Sequence, residues 1–164
     1  MPERLLRLVY RSAVAHQPDV LRLRGDVRAI LGAARRRNAR MGVTGLLLHT
    51  GTVFLQVLEG PQRAVQEIFG IVMADPRHHT IAVIEMTFPE RRRFPDWAMG
   101  YLGAAPDPQE PGLSPGLSPS LSLGLSGEIA RLDDLPADLL QRTILSFVGR
   151  LASAGPGMSR ALLG

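Results

Sequence analysis

The chain has 164 residues, of which 45% are hydrophobic, and this is long enough for one domain with a real core and an appendage. It contains no cysteine, which excludes disulfides, a thiol nucleophile and thiolate metal sites, and no run approaches the roughly 20 apolar residues of a membrane span, so we expect a soluble, cytoplasmic protein. All 19 basic residues are arginine, and residues 1–103 carry 15 of them against 9 acidic residues, whereas residues 104–164 carry 4 arginines and 6 acidic residues.

The spacing of apolar residues predicts seven elements. Alternation predicts strands, and recurrence every three or four residues predicts helices. Asp19 is a plausible N-cap for the first helix, and Pro61 suits the first turn of the second. In chain order we predict a strand at 4–10, a helix at 20–40, a hairpin of strands at 43–48 and 53–58, a helix at 61–74, and strands at 80–88 and 97–102.

The order β-α-β-β-α-β-β predicts a ferredoxin-like α+β sandwich with an extra strand and a C-terminal helical extension. In this architecture two helices pack on one face of a largely antiparallel sheet, and the other face needs a cover.

The end of the chain changes in character. Residues 104–127 contain five Pro, four Gly and five Ser, which predicts a linker or a poorly ordered loop. Residues 128–164 follow as a helical extension, with Asp133 or Asp134 as a possible cap and an amphipathic stripe from Leu139 to Leu151. This helix can cover the open sheet face, which we favour, or bind a partner.

Gln56 is a lone polar residue in the apolar strand 53–58. Because strand side chains alternate, it shares a face with Phe54 and Leu58. A buried amide must find hydrogen-bond partners or cost roughly 1–3 kcal/mol, and it can exchange its donor and acceptor ends by rotating. Taken alone, Gln56 is best explained as a satisfied core residue.

Five segments of the chain match, in order, the pattern of a known family. They are Leu8–Ser12, Asn38–Gly45, Phe54–Gly60, Asp75–His78 and Arg93–Met99. Each segment alone is a weak signal, but all five at matching spacing are specific. Residues 4–103 thereby resemble a BLUF domain, a flavin-binding sensor of blue light. We therefore expect residues 1–103 to form the photosensor domain.

The resemblance implies a set of photoactive residues. Tyr10 matches the tyrosine that gives an electron and a proton to the photoexcited flavin. Gln56 matches the glutamine between that tyrosine and the flavin, which rotates or tautomerises. Trp97 and Met99 match the residues that exchange positions near the glutamine or relay its state, and Ser12 matches a serine near the same hydrogen bonds.

The resemblance also implies how the cofactor is held. FAD is expected between the two helices, with FMN left open. Asn38 matches the amide that hydrogen-bonds the ring, Arg77 matches an arginine near its C2 carbonyl, and Asp75 and His78 belong to the same motif. One of the three arginines at 35–37 could contact the flavin phosphates.

The predicted function is a photoreceptor that is not an enzyme and signals to an unknown effector protein. An apolar tail helix or an uncovered sheet face favours a homo-oligomer. A basic nucleic-acid-binding module is the first alternative, but aromatic residues make up only 5% of the chain, so a nucleic-acid partner is not favoured. A flavin-dependent redox enzyme is the second, although no Gly-rich dinucleotide motif is present.

Other chemistry has little support in the sequence. Glu59 and Asp96 are interpreted as a turn residue and a loop residue, and no Ser/His/Asp arrangement can be placed. The four histidines lack metal-ligand spacing, so no metal site is predicted.

Overall fold

The computed structural model describes residues 2–14, 20–49, 53–95 and 97–103, together with Arg142 and Ser146. Its elements follow the predicted order. They are β1 (Leu5–Val14), α1 (Val20–Met41), β2 (Thr44–His49), β3 (Val53–Pro61), α2 (Gln62–Met73), β4 (His78–Thr87) and β5 (Gly100–Gly103). The prediction of an α+β, ferredoxin-like fold is confirmed. The predicted cap Asp19, the loop residue Asp96, the linker 104–127 and nearly all of the extension 128–164 lie outside the described residues.

Three predictions about the bounds of elements were wrong. The last strand begins at Gly100 and not at Trp97, so Trp97 and Met99 lie in the segment before it. Strand β3 runs on to Pro61, so Glu59 is a strand residue and not a turn residue. Pro61 stands at the N-cap position of α2 and not in its first turn.

The strands form a five-stranded sheet in the order β4-β1-β3-β2-β5. Strand β1 pairs antiparallel with both β3 and β4, and its register places Tyr10 opposite Gln56. The β1–β4 register shifts between Val9 and Tyr10 and again between Arg11 and Ala13. Such irregularities bend a strand and re-aim its side chains. They occur here on both sides of Tyr10.

Strand β3 is the central strand of the sheet and is buried on both faces. Leu55 and Val57 are fully buried on one face, and Leu58 on the other. Helix α2 contacts β1 and β3 and buries Val65 and Ile68. Burying side chains of this kind contributes about 1.5–3 kcal/mol each, so these contacts account for the position of α2 on the sheet.

Gly45 permits a close approach of two backbones in this sheet. A Cβ at this position would overlap the carbonyl oxygen of Val57. The Gly45 N–H donates to the carbonyl of Trp97 at 2.9 Å. A side chain at position 45 would therefore disturb both β3 and the segment before β5.

The chain divides into two compact units, Met1–Leu47 with Thr52–Gly100, and Leu48–Gly51 with Tyr101–Gly164. All the side chains of the candidate site lie in the first unit. None of the helices in the described part of the chain is long and apolar enough to cross a membrane.

Candidate functional site

A cavity lies against both helices and four strands. Its apolar lining comprises Ile30, Ala33 and Ala34 of α1, Leu47 of β2, Phe54 of β3, and Ile71 and Val72 of α2. Its polar lining comprises Tyr10, Arg37, Gln56, Asp75, Arg77 and His78. Five of the residues predicted to serve the site therefore lie together in this wall.

Tyr10 and Gln56 are hydrogen-bonded in the cavity wall. The Tyr10 hydroxyl donates to Oε1 of Gln56, and Nε2 of Gln56 donates to Sδ of Met99 at 3.6 Å. All three residues are buried, at 3% exposure each. Burial raises the pKa of Tyr10 far above its ordinary value, an effect that the Asp75 carboxylate increases and the Arg37 cation opposes. Tyr10 is therefore a neutral phenol whose proton points at the amide.

Ser12 and His78 form a second polar pair beside Tyr10. Nδ1 of His78 lies 2.7 Å from Oγ of Ser12, and Nε2 lies 2.7 Å from the carbonyl oxygen of Val72. A carbonyl can only accept, so Nε2 carries the hydrogen, and in neutral His78 the Ser12 hydroxyl must donate to Nδ1. This pair ties β1, β4 and the end of α2 together next to the cavity.

Asp75 and Arg77 face each other at the cavity rim. Nη2 of Arg77 lies 2.5 Å from Oδ2 of Asp75, and the backbone N–H of Arg77 donates to Oδ1 at 2.9 Å. Hydrogen bonds from the Arg77 side chain are the main reason that the pKa of Asp75 is lowered. The carboxylate stays ionised and holds the guanidinium in place.

Arg37 is the one arginine of positions 35–37 that lines the cavity. Its Nε is buried and has no hydrogen-bond partner among the described residues. Burial is the main cause that lowers the pKa of Arg37. An unpaired donor of this kind costs free energy unless a ligand supplies an acceptor.

Asn38 is fully buried but does not line the cavity. Its Nδ2 donates to the carbonyl of Ala98 at 2.8 Å, while its Oδ1 has no partner within the described part of the chain. Trp97 also lies outside the lining, with its ring stacked on Phe94 at a centroid distance of 5.5 Å. Of the two residues expected near Gln56, Met99 is the one in contact with it.

Glu59 is a buried strand residue and not the turn residue that the sequence pattern predicts. It is fully buried opposite Arg7 in the β1–β3 ladder and accepts from Nε of Arg7 at 2.6 Å. Its carboxylate also accepts from the backbone N–H groups of Arg93 and Phe94, at 2.8 and 3.0 Å. A lone acid in an apolar strand, with two arginines in the apolar strand β1 as possible partners, was the signal that could have found this pair.

Residues 5–100 match the family model for BLUF, sensors of blue light using FAD. The chain belongs to the BLUF family. BLUF domains are photosensors and not catalytic domains, which agrees with the prediction from the sequence. The family description names FAD as the cofactor, and this confirms the predicted flavin.

Relatives and solved structures agree with this assignment. The chain is 39% identical over 75 residues to the photoactivated adenylate cyclase subunit beta of Euglena gracilis, covering 45% of this chain and 9% of the relative. It is 36% identical over 90 residues to the blue light- and temperature-regulated antirepressor BluF of Escherichia coli, covering 55% of this chain and 21% of the relative. The chain thus spans only a small part of these two proteins. The dark-state structure of the BLUF protein BlrB matches with a TM-score of 0.58 and 36% identity, covering 89% of this chain and 98% of BlrB.

The residues present fit a flavin. Apolar side chains from both helices line the cavity and can pack against a flat ring. Gln56, Arg77 and Arg37 supply polar groups to the same lining. The Nε of Arg37, which has no partner among the described residues, suits an anionic or carbonyl oxygen of a ligand in the cavity. In the described residues no group of three or more His, Asp or Glu side chains could hold a metal ion.

Proposed function

We propose that this protein is a blue-light photoreceptor in which the Tyr10–Gln56 pair senses the excited state of a non-covalently bound FAD and signals to a partner. The hydrogen bond from Tyr10 to Gln56 in the wall of the cavity carries the proposal. Arg77, Asp75, His78, Arg37 and Asn38 are the residues that would hold and orient the ring system.

The photochemical step uses one electron and one proton of Tyr10. The oxidised isoalloxazine, when bound and excited by blue light, is a strong one-electron oxidant. The hydroxyl of Tyr10 already points at Gln56, so its proton leaves along that hydrogen bond as its electron leaves for the ring. Both return to Tyr10 when the O–H bond re-forms, and no net oxidation results.

Gln56 is left in a different state when the phenol is restored. Rotating the amide by half a turn, or shifting a proton from its nitrogen to its oxygen, exchanges which end donates. In the rotated form Oε1 would face Sδ of Met99, which has no hydrogen to donate. The contact between Gln56 and Met99 would then be lost, and the segment before β5 would be free to shift.

The output then passes to another protein or through an oligomer. The relatives named above join the same domain to adenylate cyclase and antirepressor functions. By analogy, we expect the photosensor domain at 1–103 to act on an effector through the extension 128–164 or within a homo-oligomer. A structure of Klebsiella pneumoniae BlrP1 contains FMN, so FMN is a reasonable substitute for FAD here as well.

The test is an absorption spectrum of the purified protein in the dark and after blue light. We expect an oxidised-flavin spectrum that shifts slightly to the red and recovers in the dark. Failure to bind added FAD would refute the proposal. A bound flavin that bleaches without a red shift would point instead to redox chemistry.

A further inference from the structure

Three consecutive carbonyl groups before β5 are each held by a different donor. The carbonyl of Trp97 accepts from the backbone N–H of Gly45 at 2.9 Å. The carbonyl of Ala98 accepts from Nδ2 of Asn38 at 2.8 Å, and that of Met99 accepts from Nε of Arg35 at 3.1 Å. The segment 97–99 is therefore attached to β2 at one residue and to α1 at the next two.

Arg35 and Asn38 act from the same side of α1. Residues three positions apart on a helix are neighbours on its surface, and this places both donors against adjacent carbonyls. A hydrogen bond from a guanidinium is charge-assisted and roughly twice as strong as one from a neutral amide. Arg35 thus adds a charged link beside the neutral link that Asn38 makes between α1 and the segment.

A second nitrogen of the Arg35 guanidinium is also buried. This nitrogen, Nη2, has no acceptor among the residues that the structure describes. Nη2 of Arg35 can therefore donate to a carbonyl of the segment 97–99 when that segment is displaced.

We propose that Arg35 is a positioning residue that holds the Met99 carbonyl and couples displacements of the segment 97–99 to helix α1. This inference rests on the proposed function. Met99 contacts Gln56 through its side chain and Arg35 through its backbone, so it joins the photoactive amide to the helix. When Gln56 no longer donates to Met99, the Met99 carbonyl moves relative to Arg35. The conformation of α1 then changes with the position of Arg35.

The experiment compares Arg35→Met with Arg36→Met. The two neighbours lose the same charge, but Arg36 is exposed, which makes it the matched control. Hydrogen exchange of the α1 amides is measured in the FAD-loaded protein, dark and illuminated. We expect a light-dependent change in α1 exchange in the parent and in Arg36→Met, and its loss in Arg35→Met, with the red shift retained and dark recovery slowed at least threefold. Arg35→Lys, which keeps one charged donor, should restore part of the response.

A second readout does not depend on light or on the flavin. Trp97 is the only tryptophan of the chain, so its fluorescence reports the segment 97–99 directly. In the flavin-free protein, Arg35→Met should shift this emission to the red and increase its quenching by acrylamide, while Arg36→Met should not. Unchanged fluorescence in Arg35→Met, or a full light response of α1, would overturn the inference. A parent protein with no red shift would refute the proposed function instead, and the fluorescence would still decide whether Arg35 holds the segment.

Discussion

Tyr10 and Gln56 lie directly opposite each other in the β1–β3 ladder, and the Tyr10 hydroxyl donates to Oε1 of the amide. The ring of Tyr10 also packs on Phe69 at a centroid distance of 5.2 Å, which leaves the phenol little freedom to turn. The Tyr10 hydroxyl can bond either end of the amide, but Sδ of Met99 can only accept, so the contact with Met99 selects the orientation in which Nε2 faces the sulfur and Oε1 faces Tyr10.

Tyr10→Phe should abolish the light-induced red shift. The substitution keeps the ring but removes the hydroxyl, so neither a proton nor a hydrogen bond is available to switch Gln56. Flavin should still bind, because the other cavity residues are unchanged. Dark and light absorption spectra check this, and Tyr101→Phe, at the other tyrosine of the chain, is the control. A normal red shift in Tyr10→Phe would refute the role assigned to Tyr10.

Gln56→Leu should also abolish the red shift, because no amide remains to rotate or tautomerise. It leaves the buried hydroxyl of Tyr10 without an acceptor, which should lower the free energy of unfolding by about 1–3 kcal/mol. Spectra and denaturant unfolding check the two effects separately. Gln66→Leu, at an exposed position of α2, should change neither. Persistent photochemistry in Gln56→Leu would place the switch elsewhere.

The sequence predicts the central pair and the order of the elements because both depend on local patterns. Side chains along a strand point alternately to its two faces, and this alternation assigns Tyr10 to one face of β1 and Gln56 to one face of β3. The five matching segments then indicate that these two faces are the same one. The structure brings the two side chains together as that interpretation requires.

The parts that sequence patterns missed depend on contacts between distant residues. Glu59 was interpreted as a turn residue because Gly60 and Pro61 follow it, yet its partners include Arg7, 52 positions earlier. Met99 was assigned to a strand because its segment alternates, but its side chain and carbonyl bind Gln56 and Arg35. The Ser12–His78 pair could not be predicted either, because no local sequence pattern indicates the shifts in the β1–β4 register.

Ser12→Ala should destabilise the protein while leaving the red shift in place. It removes the hydroxyl that hydrogen-bonds Nδ1 of His78, and a net loss of about 1 kcal/mol is expected from one such bond. Denaturant unfolding measures the loss. Thr87→Ala is the control, because Thr87 is exposed and its hydroxyl donates to the nearby Glu85 at 3.0 Å. Equal stability of Ser12→Ala and the parent would contradict a structural role for the pair.

Glu59→Gln should be the most destabilising of these substitutions. It leaves Arg7, which is only 7% exposed, without the carboxylate that accepts from its Nε. Removing one partner of a buried ion pair typically costs about 3–5 kcal/mol. Denaturant unfolding checks this, with Glu67→Gln at an exposed site of α2 as the control.

A double substitution separates the loss of the Arg7–Glu59 pair from the burial of the Arg7 charge without its nearest carboxylate. Arg7→Met with Glu59→Leu removes both charges, so it should be less destabilising than the sum of the two single changes. Additive losses would mean that Glu59 acts mainly through the backbone N–H groups of Arg93 and Phe94.

Asp75 should make the stability depend on pH in the acid range. Its pKa in the folded protein is lowered, chiefly by hydrogen bonds from the Arg77 side chain, so the folded state binds a proton less readily than the unfolded state. The stabilisation that this gives is present above the unfolded value of about 4 and is lost as the pH falls below it toward the folded value. Both side chains are partly exposed, so water screens the pair and the contribution is modest.

The measurement is the free energy of unfolding of the parent and of Asp75→Asn across pH 3 to 7. The difference between them should be constant above about pH 5 and shrink as the pH falls through about 4, because only the parent loses an ionised carboxylate there. Arg77→Gln should remove most of the same pH dependence, since it removes the main cause of the lowered pKa. A difference that stays constant down to pH 3 would show that Asp75 is not held ionised by Arg77.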